Sequence, residues 1–111
     1  MPNNKSIQFF KNVMIYMGYH GWNIDFNGDN YCWKHNKTIT IDPEYNCDVR
    51  QIILHEIAHA NTARFCNQKH NPQFWKHLEY LTWKFLKQDL DKNQLKHKKF
   101  MTNGYYSLCY R

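Results

Sequence analysis

From Ser6 to Gly18 the apolar residues fall at Ile7, Phe10, Val13 (with Met14) and Met17, the spacing of a helix with one buried stripe. Ser6 stands where an N-cap belongs, and Gly18 where a helix stops. The pattern then shortens. "WNIDF", "YCWKH" and "TITID" are β-leaning runs broken by "NGDN" and "HNK", which predict three short antiparallel strands with Asn27-Gly28 as a hairpin turn. "DPEYN" ends the strand region, because Pro43 cannot continue a central ladder. Asn46 is then expected to cap a helix from about Cys47 to Phe65, with Asp48 in its first turn. A further helix starts at "HNPQFW", where Asn71 is a good N-cap and Pro72 occupies the first helical position. Its apolar side is Phe74, Leu78, Leu81 and Phe85, with Trp75, Thr82 and Leu86 beside them. The aromatic tail from Phe100 is expected to add a strand or pack as coil. The order helix, small sheet, helix, helix reads as α+β.

Composition sets the scale. The 111 residues, with 42% hydrophobic and 17% aromatic content, suit one domain spanning 1–111 around one modest core. Neither repeats nor a Pro/Gly/Ser linker divide them. A mean hydropathy of −0.83 and the lack of an apolar run near the roughly 20 residues that span a bilayer argue against a membrane protein. "MPNNKSIQFFKNVMIYMGYH" lacks the apolar core and cleavage site of a signal peptide, so an intracellular, cytoplasmic protein is expected. Cys32, Cys47, Cys66 and Cys109 are widely spaced with no C-x-x-C pair, so buried reduced thiols are expected rather than disulfides or a cysteine zinc site.

The net charge of +6 lies entirely in the second half. Residues 1–55 hold five basic and five acidic side chains, whereas residues 56–111 hold ten and four. Much of the excess is in "LKQDLDKNQLKHKKF", where Lys96, Lys98 and Lys99 belong to a basic helix around Lys92 to Lys99. Such a surface attracts nucleic acid or acidic partners. It is equally the ordinary solvated face of a helix.

The chemistry concentrates in "ILHEIAHANTARFCNQKHNPQFW". On a helix, His55 and His59 are four apart, so both imidazoles project from one face and can bind one ion. Glu56 follows the first of them and can hold and deprotonate a water beside the metal. This is the H-E-x-x-H arrangement of zinc peptidases. A shuffled chain of this composition would contain it on the order of 1% of the time, so abundance of histidine does not account for it. The flanking Ile52, Ile53, Leu54, Ile57 and Ala58 make the setting unusually apolar, and ionisable groups there need partners. A catalytic zinc wants three protein ligands. His70, eleven residues after His59, and Glu79, twenty after it, both fit by spacing.

"HEIAHA…KHNPQFWKHLEYL" resembles the SprT-like and WLM metallopeptidase families, small zincins in which a third histidine opens an H-x-P-x-F-W-type motif leading into the next helix. His70, Pro72, Phe74 and Trp75 match that motif, and the likeness extends over roughly Trp22 to Tyr80. It implies a minimal zincin-like domain with His70 as third ligand, one zinc per chain, and Glu56 as catalytic general base. The implied activity is zinc-dependent hydrolysis of protein or peptide substrates, with "TITID" as the cleft edge that pairs with extended substrate. Tyr45, His77 and Tyr105 are candidates to stabilise the oxyanion, none singled out. SprT-like proteins often carry a C-terminal cysteine zinc ribbon, which Cys109 alone cannot build. Two other readings stay open: a nucleic-acid-associated module with structural zinc, which would leave Glu56 idle, and a zincin-fold adaptor without turnover. Trp22, Trp33, Trp75 and Trp83 are expected in the core rather than stacked on bases.

Overall fold

The computed structural model describes residues 4–45, 48–62 and 70–102. Helix α1 (Asn4–Met17) buries Phe10, Val13 and Met14. It starts before Ser6, which is not its cap. Ser6 lies on the face of Phe10 and Val13, and that face is the buried one. At the other end Gly18 takes φ 73°. Gly18 N donates to Ile15 O at 3.1 Å and Tyr19 N to Met14 O at 2.9 Å, a Schellman closure that absorbs two orphan carbonyls.

Strands β1 (Asn23–Asp25), β2 (Tyr31–Trp33) and β3 (Thr38–Thr40) form one sheet in the order β1-β3-β2. β2 and β3 are antiparallel, but β1 runs parallel to β3, so the sheet is mixed and not wholly antiparallel as expected. Asn27-Gly28 does reverse the chain. The connection Phe26–Asn30, however, is too long for a two-residue hairpin, and it carries β2 one strand further out. β3 fills the gap, with Ile39 fully buried. The β2–β3 reversal uses a 3-10 turn at Lys34–Asn36 and Lys37 in the left-handed region. "TITID" is therefore the central strand, paired on both sides across Thr38–Thr40, and cannot be the edge to which a substrate adds. Among the described residues β1 and β2 are the edges.

Helix α2 (Val49–Thr62) crosses this sheet, packing against β2 and β3, and contacts α1 and α3 (Pro72–Leu86) as well. A helix covered on several sides must be apolar nearly all round. Ile52, Ile53, Leu54, Ile57, Ala58 and Ala60 are all buried. Each Ile or Leu contributes about 1.5–3 kcal/mol by leaving water, so α2 anchors the core. Asp48 precedes it directly: its Oδ1 accepts from Arg50 N at 2.9 Å, and its carbonyl accepts from Gln51 and Ile52. Asp48 thus caps the helix. Asn46, the expected cap, lies outside the described residues with Cys47, as does the expected continuation to Phe65.

α3 begins as expected. Asn71 Oδ1 accepts from Phe74 N at 2.8 Å with Pro72 in the first turn, and Phe74, Trp75, Leu78, Leu81 and Thr82 are buried. A fourth helix, α4 (Lys92–Thr102), holds the basic segment, and the described residues form a small α+β domain with four helices and a three-stranded sheet. Of the four tryptophans only Trp75 is fully buried; Trp22 packs on the core from outside. Trp33 and Trp83 are exposed, because they point away from the buried faces of β2 and α3. Cys32 is buried in β2, while Cys66, Cys109, Tyr105 and most of the aromatic tail lie outside the described residues. No described helix is long and apolar enough to cross a membrane.

Candidate metal centre

The four-residue spacing of α2 places His55 and His59 on one face, and the turn into α3 returns His70 against them. Ligand-capable atoms of the three all lie within 4.8 Å of one another, and among the described residues they form a group that could hold a metal ion. His55 Nε2 and His70 Nε2 are 3.2 Å apart. That matches the edge of a tetrahedron, about 3.3 Å, when nitrogens sit at the usual zinc distance. His59 and His70 are fully buried and His55 half-buried, so the group meets solvent on the His55 side.

The "HNPQFW" turn supplies the walls. Phe74 stacks on the His59 ring at 4.3 Å and 28°, and Trp75 on the His70 ring at 5.5 Å and 27°. Because Asn71 caps α3 through Phe74 N, the same bond that starts the helix fixes both walls relative to His70. Apolar rings on two sides keep the local dielectric low, which strengthens charge–charge interactions inside. Three imidazoles with apolar walls suit a borderline ion such as zinc, for which neutral ring nitrogens are ordinary ligands. A divalent ion there would carry net positive charge into the interior. Glu56, only 1% exposed and the sole acidic residue of α2, follows His55 directly in the helix.

Glu79 is placed elsewhere. Its Oε2 pairs with Lys98 Nζ on α4, on the outer side of α3. Tyr45 is exposed. His77 lies against Tyr80, and its burial holds the imidazole pKa below the ordinary value.

The structure adds two residues that the sequence reading passed over. Gln94 Oε1 lies 2.7 Å from His55 Nδ1, and Gln94 Nε2 donates to Gln51 Oε1 at 3.0 Å. Both glutamines are buried. One signal was available: Gln51, His55 and His59 recur every four residues, so Gln51 continues the histidine stripe. The chain matches no family model, no curated protein and no solved structure.

Proposed function

We propose that the chain is a zinc-dependent metallopeptidase, a reading carried by one observation: His55 and His59 of the buried helix α2 converge with His70, and the residue that follows His55 in that helix is the buried Glu56. The sequence resemblance to SprT-like and WLM zincins supports the same reading. A zinc ion held by the three imidazoles would bring the pKa of a water towards about 7 and polarise a scissile carbonyl. Glu56 would be the group that takes the proton of the attacking water and hands it to the departing amine. His59 and His70, enclosed by Phe74 and Trp75, hold position, and a substrate would approach past the partly exposed His55. The exposed Lys92 and Lys96 of α4 offer an acidic partner, nucleic acid included, a surface outside the centre.

The test is hydrolysis of an unfolded substrate such as casein by zinc-loaded protein, with and without single-stranded DNA. Glu56→Gln keeps shape and removes the base, so turnover should fall by about two to four orders of magnitude with zinc still bound. Loaded protein that cleaves nothing under either condition overturns the peptidase and leaves a zinc-binding module or adaptor.

A further inference from the structure

We infer that Gln94 is a positioning residue for His55, fixing the ring's tautomer so that Nε2 presents its lone pair to the centre. The inference rests on reading His55, His59 and His70 as metal ligands.

The chain of hydrogen bonds fixes its own direction. The backbone N–H of Asp91 can only donate, and it meets Gln51 Oε1 at 2.9 Å. The carbonyl of Asp89 can only accept, and it meets Gln51 Nε2 at 3.2 Å. Backbone groups therefore settle which end of the Gln51 amide is oxygen. Since Gln51 Oε1 accepts, the group facing it from Gln94 is the amide nitrogen. The Gln94 carbonyl is left at 2.7 Å from His55 Nδ1. A carbonyl oxygen cannot donate, so Nδ1 carries the proton and Nε2 the lone pair. That Nε2 faces His70 Nε2. Outer partners of this kind orient a ligating imidazole and raise its basicity.

The local sequence shows that Gln94 has been diverted to this task. "DKNQ" from Asp91 to Gln94 is a capping-box pattern, in which the fourth residue normally reaches back to the N-cap backbone N–H. Half of the box is present: Asp91 Oδ1 accepts from Gln94 N at 2.9 Å. The return bond is supplied by Gln51 instead. The Gln94 side chain is thereby released towards His55, and α4 is joined to the centre through a buried amide pair. On its other side α4 is tied to α3 by Lys98 and Glu79.

The experiment compares zinc affinity, by chelator competition, in wild type, Gln94→Met, Gln94→Glu and Lys98→Met. Long-range proton–nitrogen correlation on the metal-free proteins at about pH 8, where imidazoles are neutral, reads the His55 tautomer. Gln94→Met should weaken zinc about ten- to a hundredfold and lose the Nδ1–H tautomer. Gln94→Glu still accepts from Nδ1 although it can no longer donate to Gln51 Oε1, and should recover the Nδ1–H tautomer and most of the affinity. Lys98→Met releases the other anchor of α4 without touching His55 and should leave both unchanged. Unaltered affinity and tautomer in Gln94→Met overturn the assignment, as does an equal loss in Lys98→Met, which would make docking of α4 the cause. Wild type that binds no zinc overturns the metal-centre reading instead, and the tautomer in that sample still decides whether Gln94 sets the ring.

Discussion

His55 Nε2, on the buried helix α2, stands 3.2 Å from His70 Nε2, although fifteen residues separate them in the chain. Two imidazoles meet this closely only by sharing a proton or an ion. The helix cap at Asn71 and the core packing of Phe74 and Trp75 bring His70 to that place. The site is thus assembled by the elements that also make the core, and its perturbation should be visible in stability as well as in binding.

Zinc removal is the simplest such perturbation. An ion bound only by the folded chain stabilises it by about 2.7 kcal/mol when free zinc is a hundred times Kd. Excess chelator should therefore lower the melting temperature by several degrees, as read by circular dichroism. An unchanged melt with zinc shown to be gone contradicts a folded-state site.

His70 and Glu79 are separated by substitution. His70→Ala should abolish tight zinc binding. Glu79→Ala should retain one zinc per chain and cost at most about 1 kcal/mol, since its pairing with Lys98 is a partly exposed one. Equilibrium dialysis and urea unfolding of the two variants give the comparison.

The α2 cap carries an acid dependence. The Arg50 guanidinium, hydrogen-bonded to Asp48, holds that carboxyl below its ordinary value despite partial burial. A lowered folded-state pKa means that the stabilisation is fully present above the unfolded value, about 3.9, and is lost as pH falls through the folded one. Asp48→Asn keeps a capping oxygen and should flatten this acid limb. Asp48→Ala should in addition cost about 0.5–2 kcal/mol at neutral pH. Urea melts across the acid range measure both.

Asn71→Ala removes the cap beside the centre. It should cost about 1 kcal/mol, with Asn71→Ser close to wild type. Because the same bond orients Phe74 and Trp75 around His59 and His70, zinc affinity should fall in parallel, and chelator competition checks this.

Local signals carried far in this sequence where a single element decides the outcome. The stripe from Phe10 to Met17, the Asn71-Pro72 start of α3 and the face shared by His55 and His59 all follow from helical periodicity and capping chemistry. The sheet order did not follow. Asn27-Gly28 encodes a reversal, but whether β2 lands beside β1 or one strand away depends on what β3 fills, a non-local matter. Ser6 misled because a polar residue at the end of an apolar stripe reads as a cap even when the helix continues past it. Gln51 and Gln94 were hidden for another reason: a buried amide is recognised by its partners, and these partners sit on different helices.

The most direct test of the account is the metal centre itself, observed by anomalous diffraction at the zinc edge on crystals of the zinc-loaded chain. The predicted result is one peak per chain, about 2.0–2.1 Å from a ring nitrogen of each of His55, His59 and His70. A peak with Glu79 within about 2.5 Å and His70 turned away, or no peak among the three imidazoles, would contradict it.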